Sequence, residues 1–304
     1  MSRQSEKNIC FQTTSWFSII LVFLNRLSEM RKSRWTFGMG VLLFIGALTG
    51  MGSDVYSNGQ KQILEPRLGA KRVFLYTAKK FGIPILKASI KIENGSLEQG
   101  KPIYRVHASV DSFHYFGFLL QINNRFLSTM EAETFSPVSY VKEIDQEGLL
   151  GGRKNYLQTT TFDFPNKKVV VEKKERQERQ ERQERQERQE FPLASETYDP
   201  LSMFAKCYLK EQIHPGQNIQ MSIFDGIRMR HLVFYSKKGK VKSKVYGEVE
   251  AVCLESSTSF STFEDKEGNI RIWYTDNGEK IPISMELDLP IGNIRFELEE
   301  MRED

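Results

Sequence analysis

The sequence predicts a mainly β protein: a single antiparallel, strongly curved sheet or barrel of about a dozen strands, with one short helix. Apolar and polar residues alternate through most of the chain from about residue 72 onward. Turn-forming Asn, Asp and Gly residues separate the alternating stretches at the spacing of roughly 8–12 residues that is typical of antiparallel sheets which curl or close. The strand–helix alternation of a parallel sheet is not visible, so that fold class is disfavoured.

The alternation is strictest in three stretches. KASIKI (87–92) alternates Ala and Ile with Lys and Ser, and ISMELDL (283–289) and IRFELE (294–299) follow the same period of two. Such alternation indicates strands with one buried and one solvated face. The stretches ENG (93–95) and DNG (276–278) are typical of hairpin connections.

One segment, YDPLSMFAKCYLKEQI (198–213), has a helical period instead. Asp199 is a favourable N-cap, and Pro200 would occupy the first helical position, where its missing N–H is not needed. Four apolar residues then share one stripe of the helix: Leu201, Phe204, Cys207 and Tyr208. We expect this helix to pack against an open end or face of the sheet as part of the core.

The N-terminal part reads as a leader. Residues 30–34 (MRKSR) are basic and precede an apolar run of 15 residues at 36–50, which is the order of a secretory signal peptide and is shorter than the ~20 residues of a membrane-spanning helix. We therefore assign residues 1–29 to a mis-called upstream extension, 30–57 to a signal peptide, and 58–304 to a single β-domain. The alternative is an uncleaved anchor with two hydrophobic segments. The prediction is an exported, periplasmic or cell-envelope protein that meets the membrane only through an uncleaved leader.

The charge of the chain gives no support to nucleic-acid binding. The formal net charge is +4, but residues 1–57 hold six of the 43 basic and three of the 39 acidic residues, which leaves +1 for the rest. A near-neutral domain has no electrostatic attraction to phosphate backbones.

Four stretches together resemble a known family. They are FGIPILKASIKIE (81–93), YDPLSMFAKCYL (198–209), IFDGIRMRHLVF (223–234) and IRIWYTDNGEKIPISMELDLPIGNIRFEL (270–298). In this order they resemble domain-of-unknown-function family 3108, exported bacterial proteins of undetermined role, over about residues 68–300. The resemblance implies an antiparallel β fold behind a signal peptide and implies no catalytic residues. The long leader and a repetitive charged insert depart from the family's usual pattern.

Known catalytic and metal-binding motifs are not found in the sequence. GSLEQGK (95–101) lacks the final Ser or Thr of a P-loop and joins two alternating strands, so we interpret it as a hairpin turn. The four His residues form no H-x-H or H-x-x-x-H pair, and C-x-x-C is absent, so neither a metal nor a cofactor is predicted. An enzyme would require several distant polar residues to converge in one cleft, for example His107, His231, Asp111 and Asp225.

The cysteines leave one question open. Outside the leader the chain has Cys207 and Cys253, which could form a disulfide or remain free buried thiols. Cys207 could act as a nucleophile only with a base nearby, and it lies on the apolar stripe of the predicted helix.

The segment FHYFGFLLQI (113–122) is unusually rich in large apolar residues. It could be a core strand or a short inward-folded helix. It could also form the apolar wall or lip of a ligand cavity, because curved β-sheets often enclose apolar pockets. The candidate ligand-binding residues are Phe113, Tyr115, Phe116, Phe118 and Leu120.

Two functions follow from these patterns. The first is an exported non-catalytic β-domain that binds a hydrophobic or lipid ligand in the cell envelope, and this predicts an internal cavity. The second is a structural or interaction module that docks to an envelope partner without a small-molecule ligand. The second predicts a filled core together with an exposed apolar patch or an unpaired sheet edge.

A low-complexity charged insert occupies residues 175–190, where the unit ERQ repeats five times and is followed by one Glu. As a helix it would place each Glu four residues before an Arg, which is favourable, but it would have no apolar face to bury. We expect a surface-exposed connection whose removal (175–189) leaves folding intact, because loop entropy changes slowly with length.

Overall fold

The computed structural model describes residues 71–96, 100–116, 120–148, 152–175, 186–260, 266–289 and 292–303. The predicted upstream extension and signal peptide lie outside the described residues, as do residues 58–70 and the first part of the ERQ repeat.

Within the described residues, fifteen strands form one sheet and one segment is α-helical, so the mainly β class with one short helix is confirmed. The strands are β1 (Lys71–Lys80), β2 (Ile83–Ser96), β3 (Pro102–Ser112), β4 (Leu120–Glu131), β5 (Pro137–Gly148), β6 (Gly152–Asp163), β7 (Lys168–Glu175), β8 (Gln186–Pro192), β9 (Thr197–Tyr198), β10 (Asn218–Phe224), β11 (Met229–Ser243), β12 (Gly247–Phe260), β13 (Lys266–Thr275), β14 (Pro282–Leu289) and β15 (Gly292–Glu303). The count exceeds the expected dozen because several strands, such as β6 and β8, are rich in polar residues and do not show a clear alternation.

The strand order follows the chain as a meander. The order runs from β8 down to β1, continues with β15 beside β1, and then runs down to β9, so the first and last of the described strands are neighbours in the middle of the sheet. All neighbouring pairs are antiparallel except β9 and β10. The sheet is not closed by hydrogen bonds, because β8 and β9 are its two edges. The expected single, almost wholly antiparallel sheet is therefore confirmed, and it is open, not closed into a barrel.

The meander places alternate connections at the same end of the sheet. β1 is antiparallel to both β2 and β15, so the β1–β2 turn lies beside the start of β15. β3 is in turn antiparallel to β2 and β4, which brings the β3–β4 connection to that end as well.

The helix α1 (Pro200–Leu209) begins as the sequence predicts. Asp199 Oδ1 accepts hydrogen bonds from the backbone N–H groups of Leu201 (2.8 Å) and Ser202 (3.1 Å), and the Ser202 hydroxyl bonds back to the Asp199 N–H. The second carboxylate oxygen accepts a hydrogen bond from Ser128 on β4 (2.7 Å). Asp199 is completely buried, and this burial raises the pKa of its carboxyl.

The helix is part of the core, as expected. Eight of its ten residues are buried, including the whole predicted apolar stripe. The Tyr208 ring packs edge-on against Phe74 of β1 at a centroid distance of 5.3 Å, and the Tyr208 hydroxyl accepts a hydrogen bond from Arg72 (2.6 Å). The helix thus occupies the space enclosed by the curved sheet.

Cys207 and Cys253 are both free and buried. Burial raises the pKa of each thiol to about 12, so both are protonated at neutral pH. Of the two alternatives, a disulfide or free buried thiols, the structure has free buried thiols. Cys207 also lacks the thiolate character of a nucleophile.

The expectation that the whole ERQ repeat is a surface connection is wrong for its last five residues, which belong to a strand. Gln186–Pro192 form the edge strand β8, which pairs with β7 along seven residue positions from Lys174 to Lys168. Backbone pairing needs no apolar face, so a segment of Glu, Arg and Gln can complete a ladder while its side chains stay largely in solvent. Deleting residues 175–189 would remove part of this strand.

Side chains join the two halves of the open sheet in what we call the clasp: Lys142 of β5, Gln158 of β6, and Asp225 and Gly226 of the β10–β11 turn. Lys142 Nζ donates to the carbonyl oxygen of Asp225 (3.1 Å), and Gln158 Nε2 donates to that of Gly226 (2.9 Å). Lys142 is completely buried, which lowers the pKa of its ammonium to about 8. Phe224, just before the turn, packs against Phe191 of β8 at 5.2 Å.

Candidate functional site

The tight turn between β1 and β2 presents an exposed aromatic ring in a disfavoured backbone conformation. Phe81 and Gly82 form this two-residue turn with φ angles of +52° and +80°. Such turns favour Asn, Asp or Gly at the first position, and a bulky residue there is strained. The Phe81 side chain is nevertheless 77% exposed. Lys80 Nζ lies 5.3 Å from the Phe81 ring centroid, and burial lowers the pKa of this ammonium.

The β3–β4 connection adds two more aromatic rings at the same end. Residues His114–Phe116 form a short 3-10 helix directly after β3. The rings of Phe113 and Tyr115 stack at 5.2 Å, and Tyr115 Oη donates to the carbonyl oxygen of Pro84 on β2 (3.1 Å). Lys87 Nζ lies 5.1 Å from the Phe113 ring. These contacts fasten the connection to β2.

The structure brings together two of the five predicted ligand-binding residues. Phe113 is half-buried and its stacking partner Tyr115 is 46% exposed, so this pair lies at the surface. Phe116 ends the short helix and Leu120 begins β4, while their side chains and Phe118 lie outside the described residues. The ligand role of these five residues stays a prediction.

We call Phe81, Ile83, Phe113 and Tyr115 the aromatic patch. Ile83 is 57% exposed, and the ammonium groups of Lys80 and Lys87 lie near the Phe81 and Phe113 rings, respectively. Sequence reasoning missed Phe81 and Ile83. One signal for Phe81 was available in the sequence. The pair Phe81-Gly82 stands between two alternating stretches, where a two-residue hairpin turn usually has Asn-Gly or Asp-Gly.

A polar pocket of about 450 Å³ opens beside the aromatic patch. Its position follows from His114, which lines the pocket and whose ring meets the Tyr115 ring edge-on at 5.6 Å. Inside the pocket, Arg125 Nη1 pairs with Asp111 Oδ1 at 2.8 Å. The lining residues are Asp111, Ser112, His114, Gln121, Ile122, Asn123 and Arg125.

The four polar residues that an enzyme reading required are held by separate partners. His107 Nε2 lies 3.1 Å from a Glu93 oxygen, and His231 Nδ1 bonds to Ser222 (2.9 Å). Asp111 pairs with Arg125 in the polar pocket, and Asp225 with Arg230 in the clasp turn. They do not converge in one cleft.

The part of the chain that the structure describes contains no group of three or more His, Cys, Asp or Glu residues arranged to hold a metal ion. It also has no helix of the length and apolarity needed to cross a membrane.

The fold and the four stretches noted in the sequence agree with a family comparison. The profile of the family described as "Protein of unknown function (DUF3108)" matches residues 72–299, three quarters of the chain. The chain belongs to the DUF3108 family. The matched region of this DUF3108 chain includes the aromatic patch, the polar pocket, α1 and the clasp.

A solved structure gives a weaker similarity. The crystal structure of a beta-barrel-like protein of domain of unknown function DUF1849 from Brucella abortus aligns with 13% sequence identity and a TM-score of 0.45. The alignment covers 79% of the DUF3108 chain and 99% of the other chain. No curated protein matches the sequence significantly.

Proposed function

We propose that this DUF3108 chain is an exported, non-catalytic β-domain that docks on a lipid surface through the aromatic patch. The observation that carries the proposal is Phe81, a strained residue whose ring is 77% exposed. Backbone strain at Phe81 opposes folding, and a ring this exposed makes few contacts that could offset it; such outliers cluster at functional sites.

The composition of the aromatic patch suits a membrane interface. Aromatic rings with polar edges concentrate at the level of lipid headgroups, and lysines extend their ammonium groups from apolar surroundings toward phosphates. Lys87 is exposed beside Phe113 and is placed for this role.

The size of the aromatic patch favours a lipid surface over a protein partner. A specific protein interface usually buries about 800 Å² on each partner. Four apolar side chains fall short of that area, whereas shallow insertion at a bilayer surface needs only a few such groups.

The interior gives less support to a buried hydrophobic ligand. α1 fills the space beside β1 with Phe204 and Tyr208, and the clasp turn lies against Lys142 in the other half. We therefore assign lipid contact to the outer end of the sheet. The leader expected from the sequence would deliver such a domain to the periplasm or cell envelope, where a lipid surface is available.

The test is sedimentation of the protein with phospholipid vesicles. Phe81→Asn places a residue at the turn that prefers this conformation, so the variant should be at least as stable as the parent and should bind vesicles several-fold more weakly. Tyr235→Asn removes an aromatic side chain of β11 that is 57% exposed, and it is the matched control that should bind normally.

Equal binding by the parent and Phe81→Asn would overturn the proposal, as would a parent that does not bind vesicles. In the second case a protein partner in the envelope would become the better explanation of the aromatic patch.

A further inference from the structure

We infer that the polar pocket binds a headgroup that carries both a phosphate and a primary ammonium, as phosphoethanolamine does. This inference rests on the proposed lipid docking, because the membrane surface would bring such headgroups to the pocket.

The charges of the polar pocket come as an opposite pair. Asp111 and Arg125 are 2.8 Å apart, and their side chains are 37% and 47% exposed, so both can be reached by a ligand. A ligand with one charge would be attracted by one of them and repelled by the other. A ligand with both charges can set its ammonium against Asp111 and its phosphate against Arg125.

The other lining residues fit the phosphate end and its ester oxygens. Gln121 and Asn123 offer amide N–H donors, and His114 offers a ring nitrogen. The Ser112 hydroxyl accepts a hydrogen bond from the Ile122 N–H (3.1 Å), which fixes that corner of the pocket. The polar pocket is an open depression of about 450 Å³, so a headgroup could enter it from solvent.

The position of the polar pocket matches a lipid already in contact with the aromatic patch. His114 lines the pocket, and its two chain neighbours, Phe113 and Tyr115, belong to the patch. A lipid presents its headgroup and the start of its acyl chains together. The pocket would therefore hold the headgroup while the aromatic rings lie at the boundary of the acyl region.

The choice between primary and quaternary ammonium follows from hydrogen bonding. A primary ammonium donates to a carboxylate, and a choline group has no N–H to donate. Phosphatidylcholine is thus a matched control lipid with the same net charge, and phosphatidylglycerol tests the phosphate without the ammonium.

The experiment measures binding of the full chain to vesicles of phosphatidylcholine, and to the same vesicles with about a third of the lipid replaced by phosphatidylethanolamine or phosphatidylglycerol. We expect phosphatidylethanolamine to raise the affinity roughly fivefold to tenfold, the effect of about one exposed charge-assisted contact. Asp111→Asn should remove this preference, and Arg125→Gln should weaken binding to all three lipids, because each of them carries a phosphate. Arg188→Gln on β8 removes a paired surface arginine elsewhere and is the control.

The outcomes separate this inference from the proposed docking. Vesicle binding that depends on Phe81 but ignores phosphatidylethanolamine overturns the headgroup site and leaves the docking intact. If vesicles do not bind, titration with free phosphoethanolamine decides: binding lost in Asp111→Asn supports a site for the soluble headgroup, and no binding overturns the inference together with the docking.

Discussion

Gly226 lies so close to Lys142 that a side chain at position 226 would overlap the lysine. A Cβ built on Gly226 falls within contact distance of Lys142 Nζ and only 2.6 Å from Gln158 Nε2. The φ angle of Gly226, +92°, is also one that other residues adopt with strain. The close approach allows the β10–β11 turn to receive hydrogen bonds from β5 and β6 at once.

We predict that Gly226→Ala destabilises the fold by about 3 kcal/mol or more, through backbone strain and steric overlap in the clasp. The control is Gly216→Ala. Gly216 has a φ of +83°, similar to that of Gly226, but no atom lies within 4 Å of a Cβ added there. Gly216→Ala should cost only about 1–2 kcal/mol, the price of the left-handed conformation. Urea denaturation measures both, and equal losses would show that overlap with Lys142 is unimportant.

The buried ammonium of Lys142 predicts a pH-dependent stability. Burial lowers its pKa in the folded chain from 10.5 to about 8. Between these values the unfolded chain holds a proton that the folded chain has released, so this residue makes the free energy of unfolding rise with pH, by about 3 kcal/mol in total. Lys142→Met lacks this contribution.

The measurement is the difference in unfolding free energy between parent and Lys142→Met, taken at several pH values from 7 to 10.5. The unfolding free energy of the parent should increase relative to that of Lys142→Met as the pH increases. Both proteins contain the same tyrosines, so the effect of tyrosine titration cancels in the difference. A constant difference would mean that Lys142 has an ordinary pKa in the folded chain.

Asp199 caps α1 and ties it to β4, so Asp199→Ala should lower the unfolding free energy by about 2–4 kcal/mol, because a helix cap and the buried partner of Ser128 are lost together. Asp199→Asn keeps an acceptor for the helix N–H groups and should lose less. Thermal unfolding followed by circular dichroism tests the order, and equal melting temperatures for both variants would contradict it.

The ERQ repeat should tolerate shortening but not the loss of β8. Removing residues 178–183, two repeat units between β7 and β8, should change the unfolding free energy by less than about 1 kcal/mol. Removing 175–189 takes four residues of β8 and leaves most of β7 without its partner, so the melting temperature should fall clearly. Similar melting temperatures for the two deletions would show that β8 contributes little.

Local signals in the sequence were sufficient for the sheet type and for α1. The alternation around residues 87–92 and the Asp199-Pro200 start of the helix depend on neighbouring residues, and both appear as expected. The two-residue β9 and the repeat strand β8 were not predicted, because their pairing depends on strands elsewhere in the sheet.

The clasp and most of the aromatic patch were also beyond local signals. Lys142 shares one face of β5 with the buried Tyr140 and Ile144, but a lysine in that place reads as solvated unless its distant partner, the turn at Asp225, is known. The aromatic richness of residues 113–122 was visible in the sequence. Its location at the same end of the sheet as the Phe81 turn follows only from the pairing of β1, β2 and β3.

The pairing of β1 with β15 has a consequence for the order of assembly during synthesis. Arg72 is opposite Glu303, so one flank of β1 can be covered only after β15, more than 200 residues later in the sequence, has emerged. Until then β1 offers a bare row of backbone donors and acceptors to any other extended chain. A nascent chain that lacks β15 should therefore need a holding factor, because β1 is then an additional open edge.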